Sequence, residues 1–335
     1  MHTAKDFDIP NDQIISILMG TFNGAKYLSD QIESIISQDY INWNLYIRDD
    51  GSTDETVQII QQYSIIDSRI IYIPDIGYKN NYGAGHNFSR LLEVTPVNSF
   101  TMFADQDDFW RADKISKSFQ AMWQLEAAHE EEPCLIFTNF TYVDDHLKEI
   151  TSKVDFSVVK SNKIELKHAL VQSLAYGCTM MINKSLRILV TPVPVEAIIH
   201  DYWILLVAAA TGNVQYLPHS SILYRQHGSN VSGTYKASNF KNRVDRLFFH
   251  WEKMAAEIDR EINLAILLRD NFKLSLTHAA KIELNKFISL GSKGGLGASI
   301  TLFKSGYQRQ RWYQSLVFYI LIITRDRKNV VDITT

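Results

Sequence analysis

Much that would mark a common protein class is missing from this chain. There is no G-x-G-x-x-G after the first predicted strand and no G-K-[ST], which disfavours a dehydrogenase or a P-loop enzyme. Basic residues are not in excess: the net charge is −3 and the pI near 6.4, which argues against a nucleic-acid binder. Only two cysteines occur, Cys134 and Cys178. They form no metal-ligand spacing, and reduced thiols in a cytosolic chain are expected. The stretch Met1–Asn11 lacks the basic and apolar regions of a secretion signal. No apolar run reaches about 18 residues, so no transmembrane helix is predicted. Internal repeats and low-complexity segments are also absent. What remains is a folded chain of 335 residues, 46% hydrophobic and 21% charged, with ample material for a core.

The most informative stretch is Phe103-Ala104-Asp105-Gln106-Asp107-Asp108-Phe109-Trp110. Three carboxylates within four residues follow Ser99–Ala104, which reads as a buried strand. Carboxylates this close repel unless a cation lies between them, and oxygen ligands at this spacing suit Mg²⁺ or Mn²⁺. The competing reading is a solvated acidic turn before a helix near Ala112. Loops at the carboxyl ends of such strands are where α/β proteins place ligands.

Around this loop the pattern alternates. Ile14–Met19 reads as a first strand, ending in Gly20-Thr21-Phe22-Asn23-Gly24. Leu28, Ile32, Ile35 and Ile36 fall on one helix face. Trp43–Ile47 is a second strand that runs into Asp49-Asp50-Gly51-Ser52-Thr53-Asp54-Glu55. Ser52 with Glu55 has the capping-box pattern for a helix through about Tyr63. Ile70–Ile73 is a third strand, and a helix over about His86–Leu92 precedes the fourth. This β-α-β-α-β-α-β order predicts a mostly parallel sheet with helices on both faces. Further on, Ile115, Phe119, Met122 and Trp123 share a helix face, and Cys134–Asn139 and Ala175–Ile182 read as strands. His200–Trp203 opens another helix, and Val214–Leu217 and Ile222–Tyr224 are two short strands.

From Asn239 the period becomes helical. Phe240 through Ile258 predicts one long amphipathic helix, and Leu276–Ile288 a second, ended by Gly291. Gly294-Gly295-Leu296-Gly297 follows a helix, so it reads as a helix-to-helix break rather than a phosphate loop. Trp312–Thr324 is apolar and aromatic, flanked by Arg309, Arg311, Arg325, Arg327 and Lys328. It is too short to span a bilayer; it suits either a helix in the membrane interface or one docked on the body or on a second subunit. Acidic stations are thus expected at three strand ends: Asp49/Asp50, Asp105/Asp107/Asp108 and Asp201.

Thr21-Phe22-Asn23, Asp49–Asp54 and Asp105–Asp108, taken together, closely resemble the family 2 glycosyltransferases of the GT-A fold over roughly residues 12–230. Asp105–Trp110, His200–Trp203 and Tyr224–Gly228 look more narrowly like bacterial polysaccharide rhamnosyltransferases. The resemblance implies a GT-A, Rossmann-like catalytic domain over 12–230, with a nucleotide-binding half (12–110) and an acceptor half (111–230). A helical region over 238–328 would follow, associated with membrane or with a second copy. By the same resemblance Thr21, Phe22, Asn23, Asp50 and Asp105 hold the nucleotide. Asp105 and Asp107 fill the D-x-D metal positions, and Asp201 takes the place of the catalytic base. The residue before that base is usually Glu in the family; here it is His200. Neither a Q-x-x-R-W motif nor membrane helices are present, which favours single-sugar transfer over a processive synthase.

Secondary candidates carry two readings each. His227 either ligates the metal, touches the diphosphate or is a structural turn histidine. Tyr176, Gly177 and Thr179 either shape the acceptor side or serve strand packing; His200 either meets the sugar or is a helix-start residue that bonds locally. Arg225 follows a strand near the site on the sugar side, and Asn87 either faces the nucleotide or caps its helix. The implied activity is inverting, metal-dependent transfer of one sugar from dTDP-L-rhamnose to a lipid-linked glycan, at the cytoplasmic face of the membrane. A UDP-hexose donor is the alternative within the class. A sugar-phosphate nucleotidyltransferase should carry a basic Gly-rich loop, and Gly20–Gly24 has no Arg or Lys. Carboxylates at all three stations count against a non-catalytic glycan-binding scaffold.

Overall fold

The computed structural model describes residues 10–74, 82–98, 100–150, 162–197, 199–227 and 251–325. They pack as two compact units. The first takes in the described residues within Met1–Val154, Ala175–Ala208 and Gly212–Gln226; the second, those within Asp155–Leu174, Ala209–Thr211 and His227–Thr335.

An eight-stranded mixed sheet forms the first unit. Its strands are β1 (Ile15–Thr21), β2 (Trp43–Asp49), β3 (Ile70–Ile73), β4 (Phe100–Ala104), β5 (Phe109–Trp110), β6 (Cys134–Val143), β7 (Met180–Asn183) and β8 (Asn213–Arg225), in the order β3-β2-β1-β4-β7-β6-β8-β5. Strands β1–β4 pair in parallel, and β7 lies antiparallel between β4 and β6. The parallel register sets Thr21 beside Asp49, so the carboxyl ends of β1 and β2 finish level.

Helices cover both faces because β1 is apolar at alternate and intervening positions alike. Ile15, Ile17 and Met19 join Leu28, Ile32 and Ile35 of α1 (Ala25–Ile36) and Phe119 and Met122 of α4 (Lys114–Ala128) in one core cluster. On the other face Phe103 meets Phe88 of α3 (Ala84–Val94), ring centroids 5.9 Å apart. The remaining helices of this part are α2 (Thr56–Ile66), α6 (Lys184–Val190) and α7 (His200–Thr211).

Three local expectations are corrected. Ser52 and Glu55 form no capping box: the Ser52 hydroxyl binds Asp49, and Asp54 accepts the Thr56 N–H at 3.1 Å instead. The stretch before β7 is a 3₁₀ turn over Gly177–Thr179, because both the N–H and the hydroxyl of Thr179 bond back to the Tyr176 carbonyl. The two short strands after Val214 are one continuous β8, which pairs with β6 through register shifts around Asn139.

The second unit is helical: α5 (Leu166–Ala169), α8 (Trp251–Asn271), α9 (His278–Lys293), α10 (Gly295–Lys304) and α11 (Trp312–Thr324). The part of the expected long helix over 239–250 lies outside the described residues. From Trp251 onward the chain is helical and Ile258 is buried. Gly291 does not end α9. It is buried within the helix, where an added Cβ would stand 2.8 Å from Ile262 Cδ1. The stop comes at Gly294 and Gly295, whose positive φ values of 59° and 80° glycine adopts without strain. Two ion pairs tie the segments flanking α11 to α8, Arg309–Glu261 and the buried Arg325–Asp259, both at 2.8 Å. No helix among the described residues is long and apolar enough to cross a membrane.

Candidate active site

The ends of β1, β2 and β4 deliver three loops that are cross-linked to one another. Asp49 is the hub of the first link. Its Oδ1 accepts from Thr21 Oγ1 at 2.9 Å and from Ser52 Oγ at 2.5 Å; its Oδ2 accepts from the Gly51 and Ser52 N–H groups at 3.0 and 2.7 Å. Asn23 adopts the left-handed φ of 47°, a region Asn tolerates better than most residues. Its N–H donates to Ser52 Oγ and its side-chain oxygen accepts from the Thr53 N–H, both at 2.8 Å. Thr21 and Asn23 therefore hold the turn.

Asp50 is placed differently. It is buried, its Oδ2 accepts from the Gly83 N–H at 2.8 Å, and Oδ1 lies 3.5 Å from Arg48 Nη1 without a hydrogen bond. Asn87 accepts from the same Arg48 nitrogen at 2.8 Å and donates to the Arg48 carbonyl at 3.1 Å. It is a tie between α3 and β2 rather than a helix cap.

The acidic loop is fastened from two sides. Gln106 clasps the Phe22 backbone: Oε1 accepts the Phe22 N–H at 2.8 Å and Nε2 donates to the Phe22 carbonyl at 3.0 Å. The Phe22 side chain stays partly exposed. Arg225 holds the other side. Its Nε donates to the Asp107 carbonyl at 3.0 Å, its N–H to Asp108 Oδ1 at 3.4 Å, Nη2 to Asp30 at 3.0 Å and Nη1 to the Asp145 carbonyl. The guanidinium also stacks over Tyr27, 4.5 Å from the ring centroid. Arg225 is thus a buried clamp on the acidic loop.

Oxygen and sulfur atoms of Asp105, Asp108 and Cys178 lie within 4.8 Å of one another. Burial and the neighbouring Asp107 carboxylate push Asp105 up to about 7, against a hydrogen bond to Cys178 that lowers it. Burial, then Asp105 and Asp107, raise Asp108 well above the usual carboxylate range, and its Oδ2 has no hydrogen bond. Burial likewise raises the Cys178 thiol. Lys114, fully buried beside Ser221 and the Trp110 ring, is lowered to about 8. Of Asp105, Asp108 and Cys178, two are carboxylates, whose crowding a hard divalent cation would relieve, and a thiol kept protonated is a neighbour rather than a ligand; Asp107, the other expected ligand, is not in this group.

At the start of α7, Asp201 Oδ2 accepts the Gly177 N–H at 3.0 Å. Burial raises Asp201 to about 6 despite that bond, and its charge reaches Asp105. His200 turns into the core. It stacks on Phe88 at 4.1 Å, both ring nitrogens lack hydrogen bonds, and burial lowers it to about 3, so it stays neutral. Thr179 is buried and its hydroxyl donates to the Tyr176 carbonyl. Tyr176 remains partly exposed, edge-on to Phe140 at 5.2 Å and within 6.2 Å of Tyr224. His227 follows β8 by two residues and belongs to the second unit, whereas the acidic loop belongs to the first.

Sequence reasoning missed the roles of Gln106, Lys114 and Cys178. None has a spacing signal, since each is joined to its partners only by the fold.

Residues 16–174 match the family model described as glycosyl transferase family 2. The chain is 29% identical over 243 residues, 68% of its length and 78% of the relative's, to the dTDP-rhamnosyl transferase RfbG of Shigella flexneri. Among solved structures it is similar to S. aureus TarS 1-349, with TM-score 0.51, 14% identity, and coverage of 92% of this chain and 80% of that one. It is also similar to the mannosyltransferase PcManGT of Pyrobaculum calidifontis, solved with GDP-Man and Mn²⁺. There the TM-score is 0.50 at 13% identity, covering 95% of this chain and 88% of that one. At such identities the two structures speak for the fold alone, and that fold is GT-A.

Proposed function

We propose that this chain, which belongs to glycosyl transferase family 2, moves a single sugar from a nucleotide-linked donor to a lipid-linked glycan with inversion. The donor is dTDP-L-rhamnose, a choice supported by the likeness to the Shigella flexneri rhamnosyl transferase. The observation that carries the reading is the Asp201 carboxylate. It is fixed by the Gly177 N–H, raised to about 6, and within electrostatic reach of the acidic loop.

Asp201 accepts the proton of the acceptor hydroxyl as its oxygen bonds to the anomeric carbon. The bond from that carbon to the diphosphate breaks, and its electron pair leaves with the nucleoside diphosphate. One displacement inverts the centre. Asp105 and Asp107 would hold Mg²⁺ or Mn²⁺, which when bound neutralises charge on the leaving diphosphate. The partly exposed Phe22 ring and the unbonded Oδ1 of Asp50 are the candidates for the base and ribose, while Thr21, Asn23 and Asp49 keep the turn in shape. Tyr176 flanks the acceptor. The acceptor's lipid places the reaction at a membrane surface.

A thermal-shift panel of dTDP, UDP and GDP, each with and without Mn²⁺ or Mg²⁺, tests the donor site on wild type and Asp107→Asn. Ligand binding to the native state raises the unfolding midpoint. A metal-dependent rise with dTDP, lost in the variant, is expected. A preference for UDP would replace the sugar with a hexose and keep the mechanism; no rise with any nucleotide would overturn the reading.

A further inference from the structure

Helices α10 and α11 of the second unit are apolar on two sides. Their inner sides bury Ala298, Ser299 and Leu302, and Ser315, Phe318, Leu321 and Ile322. The two helices are joined by a hydrogen bond from Ser299 Oγ to the Tyr319 carbonyl at 3.0 Å and by the Phe303–Tyr319 ring contact at 5.6 Å. Outward, α10 exposes Leu296, Ile300 and Phe303, at i, i+4 and i+7. Outward on α11 stand Trp312, Leu316, Ile320 and Ile323, one helix stripe, with Trp312 78% exposed. Phe303, Trp312 and Leu316 line a single open groove of about 870 Å³ together with Arg311, so the two stripes meet. A folded domain does not need a large exposed tryptophan beside exposed phenylalanine and leucine; a contiguous patch of this kind marks an interaction surface.

Charge identifies the partner. From Gly291 to Arg325 the sequence holds Lys293, Lys304, Arg309, Arg311 and Arg325, and no Asp or Glu. Arg309 and Arg325 are neutralised by Glu261 and Asp259. Lys304 and Arg311 are exposed at the ends of the two stripes, beside Phe303 and Trp312. A self-complementary dimer through this face would set the patch, cations included, against its own copy. An anionic surface with an apolar interior meets both features. Helix α11 has 13 residues, about 20 Å at 1.5 Å per residue, against a hydrocarbon core of about 30 Å. Such a helix lies along the surface and does not cross it.

The geometry points to the outward face of α10 and α11 as a docking surface for an anionic lipid bilayer. Phe303, Trp312, Leu316 and Ile320 enter the headgroup boundary, and Lys304 and Arg311 meet the lipid phosphates. This deepens the proposed function, since it brings the enzyme to a lipid-linked acceptor. The contact itself needs no nucleotide and can be measured without one.

The test is cosedimentation of the full chain with phosphatidylcholine vesicles, with and without phosphatidylglycerol, at low and high salt, in the absence of nucleotide. Binding that requires phosphatidylglycerol and weakens with salt is expected. Lys304→Gln combined with Arg311→Gln should weaken it at least tenfold, from roughly fivefold per cation near an anionic surface. Trp312→Ser with Leu316→Ser should abolish it, with the circular dichroism spectrum and the nucleotide thermal shift of wild type retained. The inference is overturned by a wild-type chain that ignores both vesicle types, by variants that bind as wild type does, or by a dimer that the Trp312→Ser, Leu316→Ser variant dissolves. A chain that shifts with nucleotide yet ignores vesicles would sink this surface alone, leaving the donor reading intact.

Discussion

Gly24 faces the carboxamide of Gln106 so closely that a Cβ on Gly24 would overlap Oε1. The same oxygen receives the Phe22 N–H at 2.8 Å. The glycine leaves room for a side chain far along the sequence, and the contact couples the first strand's loop to the acidic loop. Gly24→Ala should therefore destabilise the fold by about 1–3 kcal/mol, as overpacking does, and weaken nucleotide binding. In a Gln106→Ala background the obstacle is gone, and the added cost of Gly24→Ala should shrink by more than half. Urea unfolding of the four proteins of this double-mutant cycle measures the coupling; additive costs would show that the two residues do not meet in solution.

Asp201 sets the second prediction. With the carboxyl raised to about 6, a base needed in its ionised form gives a transfer rate that climbs with pH through about 6 and levels above it. Stability moves the opposite way. The folded state holds a proton that the unfolded chain releases nearer 3.8, so this group's contribution is present at low pH and is lost as pH rises from about 4 through about 6. Asp201→Asn should cut transfer by roughly a hundredfold or more while the nucleotide-induced thermal shift is kept. A pH–rate profile of kcat/KM and a single-turnover assay on the variant are the checks, and substantial residual turnover would remove Asp201 from the role.

Arg225 gives a third. Its guanidinium bonds the Asp107 and Asp145 carbonyls and the Asp30 carboxylate, so it positions the acidic loop. Arg225→Met keeps the stem but leaves those carbonyls without their donor. The expected cost is at most about 2–6 kcal/mol, at about 1–3 kcal/mol for each of the two part-buried carbonyls left unbonded. The metal dependence of the nucleotide thermal shift should move to higher Mn²⁺ concentration, whereas the pH at which the rate levels should not change. An altered pH profile with unchanged metal dependence would place Arg225 elsewhere in the mechanism.

The apolar runs Ile14–Met19 and Ser99–Ala104, the helical spacing of Leu28, Ile32 and Ile35, and carboxylates at strand ends were legible from sequence because each is a local pattern. Periodicity dictates which face an element buries, and like charge crowded into four residues stands out in any fold. The combination of Thr21–Asn23, Asp49–Asp54 and Asp105–Asp108 was enough to point to the family. Only tertiary structure separated neighbours of the same type. Asp49 is turned into its own loop by the Gly51 and Ser52 N–H groups, while Asp50 points to Gly83 across the strand end. His200 is buried against Phe88 while Asp201, one residue on, takes the Gly177 N–H. Arg225, a candidate on the sugar side, and Gln106, which carried no signal, both fasten the acidic loop, because their partners lie on elements that only the sheet brings together. Adjacent side chains leave the backbone in different directions. What each one meets is fixed by packing among distant segments, which composition and spacing do not contain.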